Sequence, residues 1–439
     1  MIALAEMLER TPYTSYTYAY PHKTAYRPLD PPVPLRVVWA EERREALFLY
    51  LHIPFCEMRC GFCNLFTTAN PKEDLEVAYL DAVERQARRV RAALGPASFA
   101  RLAIGGGTPT YLTTAALHRM FDVAERVFGA DLAAIPVSVE TSPHTAQPDK
   151  VRLLRERGVD RISIGVQSFV EAEVKAVGRA QKTSDVERAL ALIRERGVPT
   201  LNVDLMYGLP GQTVTSWLAS LRAALRCAPE ELYLYPLYVR PLTGLGRQSK
   251  TWDDVRLDCY HAAREVLCDA GYTQVSMRMF RSAHAPVQDG PVYCCQDDGM
   301  VGLGCGARSY TRALHYSSEY AVGARGVRAI LAGYVARPDA AFDVADYGIA
   351  LGLEEQQRRY VIQSVLQADG LSFAAYRGRF GTHALDDVPA LAELMEHGLA
   401  VQSDEGLQLT DAGMERSDTI GPWLYSAAVR TLMERYELR

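Results

Sequence analysis

The sequence CEMRCGFC places three cysteines within eight positions, directly after an apolar stretch. Cys56, Cys60 and Cys63 follow the spacing C-x3-C-x2-C, at which three thiolates can hold three corners of a metal centre. A structural zinc site closes with four ligands, but Leu65 follows the third cysteine and the nearest histidine, His52, lies upstream. A 4Fe-4S cluster held by only three cysteines keeps one iron open to a ligand. The spacing favours such a cluster; a zinc site with a distant fourth ligand, or buried apolar cysteines, are the alternatives.

The composition narrows the class of protein. The chain has 439 residues, nine cysteines and a net charge of −5, and it does not begin with a basic segment followed by a long apolar run. An odd number of cysteines in a large chain of this kind is typical of thiol or metal chemistry in a reducing cytosol. No apolar run reaches the length of about eighteen residues that a membrane span needs, and no Lys/Arg stripe indicates nucleic-acid binding. We therefore expect a cytoplasmic protein with neither a membrane nor a nucleic-acid partner.

Six strand-like runs alternate with helical stretches from residue 46 onward. They are ALFLYLHI (46–53), ARLAIGGG (100–107), IPVSVET (135–141), DRISIGVQSF (160–169), PTLNVDLMYG (199–208) and EELYLYPLYV (230–239). This alternation predicts βαβ units and a parallel sheet. A complete eight-stranded barrel takes about 250 residues, and this segment is shorter. We therefore expect an α/β fold with a partial, TIM-like (β/α)6 barrel, with a helix over 252–270 at its side.

The two ends of the chain have a different texture. Residues 1–45 contain five tyrosines between Tyr13 and Tyr26 and then RPLDPPVP, which indicates an arm that ends in an extended linker. This arm is expected either to cover the barrel mouth or to pack on the protein's own surface. After residue 340, helices and the hairpin pattern GLAVQSDEGLQLT predict a small winged-helix-like domain. The expected units are 1–45, 46–340 and 341–439.

The stretch YLHIPFCEMRCGFCNLF closely resembles the signature of the radical S-adenosylmethionine (SAM) superfamily. More narrowly, it resembles the oxygen-independent coproporphyrinogen III oxidase-like (HemN-like) family. The resemblance continues in order through GGGTPT (105–110), SVET (138–141), RISIGVQSF (161–169), NVDLMYGLPGQT (202–213), VGLGCGARS (301–309) and LQLTDAG (407–413). It covers most of the chain after the arm.

The resemblance implies that the three cysteines hold a 4Fe-4S cluster whose open iron binds the amino and carboxylate groups of SAM. An external one-electron reductant of flavodoxin or ferredoxin type would feed the cluster, and SAM would be split to a 5′-deoxyadenosyl radical that abstracts hydrogen from a small-molecule substrate. The residues implied at this SAM are Tyr50, Gly106, Gly107, Thr108 and Glu140. Taken alone, the glycines are equally typical of a tight turn, Glu140 of a strand-end charge and Tyr50 of a core residue.

The resemblance also implies a second SAM beside the first. The matching positions are Phe62, Gly107, Thr108, Gln167, Arg179 and Asp204. Arg179 would hold a carboxylate through its forked donors, and Asp204 and Gln167 would hold ribose hydroxyls. Tyr238 is expected against an adenine, and Ala307 in the second glycine-rich turn over the SAM.

Several positions depart from the family pattern. The coproporphyrinogen oxidase has a further cysteine where Leu65 stands, and its MDHF segment is here MRMF, residues 277–280. The haem chaperone of the same branch carries HNxxYW where this chain has VYCCQDDGM, residues 292–300. Cys294, Cys295 and His284 are candidate ligands or plain structural residues, and Cys305 is a candidate hydrogen donor or structural filler.

These observations favour a radical SAM enzyme with two SAM sites. We interpret its reaction as one-carbon transfer, of the C-methylation or cyclopropanation type, to a conjugated small molecule. Oxidative decarboxylation of a tetrapyrrole side chain and haem binding as a chaperone are the alternatives. A monomer is expected.

Overall fold

The computed structural model describes residues 3–248, 252–287, 293–295 and 298–438. Its strands are β1 (Arg27–Pro34), β2 (Leu47–Ile53), β3 (Phe55–Cys56), β4 (Thr68–Ala69), β5 (Phe99–Gly106), β6 (Val137–Thr141), β7 (Arg161–Gln167), β8 (Thr200–Tyr207), β9 (Glu231–Pro236), β10 (Tyr272–Gln274), β11 (Met279–Ser282), β12 (Met300–Leu303), β13 (Arg308–Tyr310), β14 (Leu314–Ser317), β15 (Val344–Ala350), β16 (Leu371–Ser372), β17 (Ala400–Gln402) and β18 (Gly406–Leu409).

Most of the helices lie between these strands. They are α1 (Leu4–Leu8), α2 (Leu35–Val38), α3 (Glu73–Leu94), α4 (Thr114–Asp122), α5 (Pro148–Glu156), α6 (Glu171–Ala176), α7 (Thr183–Glu195), α8 (Val214–Leu225), α9 (Arg256–Asp269), α10 (Ala324–Val335), α11 (Leu353–Val365), α12 (Phe373–Phe380), α13 (Ala384–Asp387), α14 (Leu391–Glu396), α15 (Asp411–Met414), α16 (Ser417–Trp423) and α17 (Ala427–Glu434). None of the helices in the described ranges is long and apolar enough to cross a bilayer.

Thirteen strands form one sheet, in the order β1-β15-β14-β13-β12-β2-β5-β6-β7-β8-β9-β11-β10. The six predicted strands form as β2 and β5 to β9, and each is parallel to the next. The prediction of a partial α/β barrel is confirmed. The sheet is wider than predicted, because β12 adds a further parallel strand beside β2 and antiparallel strands flank the parallel core.

The parallel strands are buried because helices cover the sheet. Leu102, Ile104, Val139 and Val203 are fully buried, as is typical of strands covered on both faces. Since the strands run in one direction, their carboxyl ends meet at one edge of the sheet, which is where loops carry function in barrels of this kind. The cysteine loop follows β2 at this edge.

The arm is structured, and RPLDPPVP is not the free linker that the sequence suggested. These residues form β1, which pairs antiparallel with β15 at the edge of the main sheet. Proline lacks the N–H that a residue in a central strand would need. The strand can contain prolines because it lies at the edge of the sheet and because its register shifts between Pro28 and Val33.

The C-terminal helices and the three-stranded sheet β16-β18-β17 enclose a second apolar core. This agrees with the winged-helix-like prediction. Leu4, Tyr20 and Ala25 of the arm are buried in the same core, so the arm is anchored to the C-terminal part of the chain. The domain limits 46–340 and 341–439 stay a prediction, and β15 carries the main sheet as far as Ala350.

A buried ion pair joins the two parts of the molecule. The side chains of Arg278, just before β11, and Asp418, in α16, are 4% and 1% exposed and form a salt bridge. Tyr238 donates a hydrogen bond to the Asp418 carboxylate and accepts one from Arg278 at 3.0 Å. The pair therefore has hydrogen-bond partners of its own, as buried charges require.

Removing one charge of this pair should destabilise the protein strongly. We expect Asp418→Asn to lower the free energy of unfolding by about 3–5 kcal/mol, because Arg278 keeps a buried charge without a counter-ion. Glu6→Gln is the control: it breaks the exposed Glu6–Arg10 pair, which should change stability by about 1 kcal/mol or less. Urea denaturation followed by circular dichroism measures both, and equal midpoint shifts would contradict the expectation.

Candidate active site

The loop that carries the cysteines is held at both ends and in the middle. β3 and β4 pair in parallel and close it, with the amide of Asn70 donating to the carbonyl of Cys56 at 2.9 Å. In the middle, the Gly61 amide donates to the Val177 carbonyl at 2.7 Å, and the Leu245 amide donates to the Gly61 carbonyl at 2.8 Å. A Cβ at Gly61 would lie 2.8 Å from the Val177 oxygen, so only glycine allows this close contact.

Each of the three sulfur atoms faces a different donor. The Thr108 hydroxyl lies 3.6 Å from Cys56 Sγ, Arg179 Nη1 lies 3.4 Å from Cys60 Sγ, and the Thr67 hydroxyl lies 3.7 Å from Cys63 Sγ. All nine cysteines belong to the described part of the chain, and none forms a disulfide. The trio is thus available as a set of soft ligands.

The surroundings of the trio fit an iron–sulfur cluster. Burial raises the pKa of the Cys56 thiol to about 12, so a thiolate there needs the positive charge of bound metal. The zinc alternative needs four ligands around one ion. Three soft thiol ligands in one loop are instead the donor set of an iron–sulfur cluster with one open iron.

The first glycine-rich turn packs directly against the cysteine loop. A Cβ at Gly107 would lie 2.9 Å from Cys56 Sγ and 2.6 Å from the Phe55 carbonyl oxygen, and one at Gly105 would lie 2.9 Å from the Glu140 carboxyl group. The Gly107 amide donates to the Ile53 carbonyl at 2.7 Å. The absence of side chains therefore brings the backbone of this turn up to both the sulfur and the carboxylate.

His52 connects this turn with the second glycine-rich turn, a role that the sequence did not reveal. Its ring would lie 2.5 Å from a Cβ at Gly106 and 2.8 Å from a Cβ at Gly306, and both glycines have positive φ. The ring nitrogen Nε2 is 3.1 Å from the Phe66 carbonyl, and burial lowers the pKa of His52 to about 4. A neutral imidazole thus fills the space between the two turns. The HIP tripeptide before the first cysteine was the available signal.

Two carboxyl groups lie at the ends of neighbouring strands. Glu140 accepts a hydrogen bond from the Gly106 amide at 2.8 Å, and Asp204 accepts from the Asn202 amide at 2.8 Å and the Ser163 hydroxyl at 3.2 Å. The Glu140 side chain is accessible from the mouth of the barrel, yet protein surrounds it, and this desolvation raises its pKa to about 7. Burial raises the pKa of Asp204 to about 6. Such carboxylates favour a cationic ligand or hydroxyl donors.

The remaining residues expected at the second SAM lie beside this pair. Gln167 has φ 69° at a register shift between β7 and β8, a conformation that a non-glycine residue adopts only under constraint. Arg179 donates to the Gly165 carbonyl at 2.5 Å in addition to its contact with Cys60. Phe62 packs against the small apolar cluster that contains Val177 and Met206. The Arg179 guanidinium therefore already bridges the cysteine loop and β7.

The three remaining candidate residues all contact other parts of the protein. Tyr50 lies 3.2 Å from His52 Nδ1 through its hydroxyl, and Ala307 is buried after β12. Tyr238, expected against an adenine, is instead hydrogen-bonded to Asp418 of the C-terminal part.

The arm lies over the mouth of the barrel. The ring of Tyr16 is 3.8 Å from the Arg278 guanidinium and contacts the ring of Tyr235 in β9. A cavity of about 170 Å³ lies here, lined by residues of the arm, of the turn before β11, of α11 and of α16, and by Cys295. The arm thus forms one wall of this partly open cavity.

The other cysteines and His284 take ordinary positions. Cys305 is fully buried and lies 3.7 Å from the Ser318 hydroxyl, and His284 is exposed. Cys294 donates its amide to the Asp298 carboxylate at 2.8 Å, and the Cys295 carbonyl accepts from Arg359 at 2.5 Å. Within VYCCQDDGM, positions 292, 296 and 297 lie outside the described residues.

Comparison with known proteins identifies two family matches. The model of the radical SAM superfamily matches residues 50–224, and that of the HemN C-terminal domain matches residues 351–415. The heme chaperone HemW of Escherichia coli is 34% identical over 281 residues, which is 60% of this chain and 69% of HemW. The oxygen-independent coproporphyrinogen III oxidase of Salmonella typhimurium is 27% identical over 432 residues, 91% of each chain.

A solved structure has the same fold over nearly the whole chain. The coproporphyrinogen III oxidase HemN of Escherichia coli, described as a radical SAM enzyme, superposes with a TM-score of 0.79 at 24% identity and covers 99% of both chains.

The close approach of Gly107 to Cys56 predicts that a methyl group there disturbs cluster assembly. We expect Gly107→Ala to lower the iron content of anaerobically reconstituted protein by about half or more, because the Cβ would displace the Cys56 loop. Gly333→Ala, in α10, is the control, since its Cβ meets nothing within 4 Å. Iron analysis and the cluster's visible absorption measure the effect, and full iron loading in Gly107→Ala would refute it.

Proposed function

We propose that this chain, which belongs to the radical SAM superfamily and within it to the HemN-like family, transfers a one-carbon unit from one SAM to a conjugated small molecule and uses a second SAM as the radical source. The chain is a radical SAM enzyme of that family. The observation that supports the finer proposal is that Arg179, expected at the second SAM, contacts Cys60. Gln167 and Asp204, also expected there, lie on the neighbouring strands β7 and β8.

The cysteine loop would supply the ligands of the cluster. When bound, the cluster delivers one electron that splits SAM into methionine and a 5′-deoxyadenosyl radical able to take a hydrogen atom from substrate. Cys56, Cys60 and Cys63 would hold three irons, while the glycine turn excludes bulk beside Cys56. The protein itself would bind SAM and substrate and orient them for the reaction.

Glu140 would orient the cationic part of SAM. Its carboxylate is fixed by the Gly106 amide and lies in protein surroundings that favour charge neutralisation by a bound cation. Asp204, fixed by Asn202 and Ser163, would accept hydroxyl hydrogen bonds. These positions would keep the two SAM molecules in separate orientations.

Oxidation of a tetrapyrrole side chain is the second candidate. The observation that favours it is the match to oxygen-independent coproporphyrinogen III oxidases over 91% of the chain. Arg278 stands in MRMF, where that enzyme has polar residues expected near the substrate, and it is engaged by Asp418. This difference supports a changed substrate. Haem binding, the activity in the name of HemW, is the third candidate and would leave SAM uncleaved.

We propose that the protein is cytoplasmic, since nine cysteines without a disulfide suit a reducing compartment. We also propose that it is a monomer and that it receives electrons from a flavodoxin- or ferredoxin-type protein.

Incubation of reduced, reconstituted protein with labelled SAM and candidate substrates tests the reaction. We expect both 5′-deoxyadenosine and S-adenosylhomocysteine, because one SAM is cleaved and the other donates its methyl group. Cys60→Ala should abolish both products, whereas Cys268→Ala, at an exposed position in α9, should leave them unchanged. Formation of 5′-deoxyadenosine alone would contradict one-carbon transfer, and loss of carbon dioxide from a porphyrinogen would favour the second candidate.

The raised pKa of Glu140 predicts pH-dependent SAM binding. Below a pKa of about 7 the carboxyl is largely protonated and neutral, so a cationic ligand binds less tightly. We expect SAM affinity to rise about fivefold to tenfold from pH 6 to pH 8, and Glu140→Gln to weaken binding and remove most of this dependence. Equilibrium dialysis with labelled SAM measures it, with Glu6→Gln as control. An unchanged pH profile in Glu140→Gln would contradict the assignment.

A further inference from the structure

Two cations lie over tyrosine rings beside the cysteine loop. Lys23 lies in a turn of the arm, and Arg308 begins β13 just after the second glycine-rich turn. The Arg308 guanidinium is 4.6 Å from the ring centre of Tyr18, and Lys23 Nζ is 3.6 Å from that of Tyr320. The Tyr18 ring also contacts the ring of His22, the neighbour of Lys23 in the chain, with 6.0 Å between the ring centres.

These cations have no carboxylate partner. Neither Lys23 nor Arg308 forms a salt bridge with any of the described residues. Arg308 Nη1 is buried without a hydrogen-bond partner. The guanidinium lies over the rings of Tyr18 and Tyr310. A half-buried cation with an unpaired buried N–H gains stability from a bound anion.

Tyr18 occupies the place that such an anion would take. Burial by itself raises the pKa of this phenol, yet Arg308 and Lys23 together lower it below its ordinary value. The surroundings of the Tyr18 oxygen therefore favour negative charge. Burial raises the pKa of other tyrosines in this region, such as Tyr50 and Tyr310, so the preference is local to the two cations.

The cation pair and the carboxyl pair lie on different elements of the same mouth. Lys23 Nζ lies over the ring of Tyr320, and the Tyr320 hydroxyl donates to the Asn64 carbonyl at 2.7 Å in the cysteine loop. Glu140 and Asp204 stand on β6 and β8. The mouth thus has an acidic part suited to a sulfonium and a basic part, half of it supplied by the arm, suited to an anion.

We propose that Lys23 and Arg308 bind a carboxylate group of the substrate, and that the Tyr18 hydroxyl fills this position until the substrate enters. One guanidinium fork and one ammonium match a planar monoanion, and the rings of Tyr18 and Tyr320 suit the flat body to which it is attached. That the anion belongs to the substrate rests on the proposed function.

Binding of benzoate, compared with its neutral isostere benzamide, tests the site. With reconstituted full-length protein and no reductant, we expect benzoate to bind at least about tenfold more tightly than benzamide, by calorimetry or ligand-observed NMR. Arg308→Gln and Lys23→Gln should each weaken benzoate about tenfold and leave benzamide unchanged. Tyr18→Phe removes only the competing hydroxyl and should tighten benzoate several-fold. Thermal denaturation checks that each variant is folded.

Three outcomes would overturn the proposal. They are equal affinity for benzoate and benzamide, tighter binding of inorganic phosphate than of benzoate, and loss of labelled SAM binding in Lys23→Gln with benzoate affinity unchanged. The last would assign the cations to the carboxylate of SAM. Benzoate binding without any 5′-deoxyadenosine formation under reducing conditions would refute only the proposed function, because the two measurements are independent.

Discussion

The whole site depends on the close approach of three backbone segments at the carboxyl edge of the sheet. The turn after β5, the cysteine loop after β2 and the turn after β12 come so near to each other that a Cβ at Gly106, Gly107 or Gly306 would overlap His52 or Cys56. Parallel pairing of β12, β2 and β5 places these three loops side by side. The cysteine loop can therefore keep its position only because these residues are glycines.

Electrostatics divide the mouth of the barrel into two parts. Desolvation raises the pKa of Glu140 to about 7 and that of Asp204 to about 6, so the acidic part gains from a cationic ligand. Lys23 and Arg308 have no carboxylate partner among the described residues, and the basic part gains from an anion. The electrostatic free energy of each part is higher when it is empty than when a ligand of opposite charge is bound. This is a usual feature of binding sites that are formed before the ligand arrives.

The arm and the C-terminal helices form walls of the cavity at the mouth of the barrel. Leu4 and Tyr20 are buried among the C-terminal helices, whereas Tyr16 and Tyr18 of the same arm reach Arg278 and Arg308. Asp418 closes the network from the other side through its buried pair with Arg278. The residues that line this cavity therefore come from segments far apart in the chain, which is why likeness of the barrel alone does not identify a substrate.

The sequence by itself determined the parallel α/β core, and it predicted the three cysteine ligands and the other candidate positions. Strand and helix periodicity is local, and Cys56, Cys60 and Cys63 carry their chemistry in their spacing. Only the tertiary structure decided the features that depend on contacts between residues distant in sequence. It turned RPLDPPVP into an edge strand, placed His52 between two glycine turns, engaged Tyr238 with Asp418 and brought Lys23 to Arg308. Such contacts join residues more than fifty positions apart in the chain, and no short-range pattern records them.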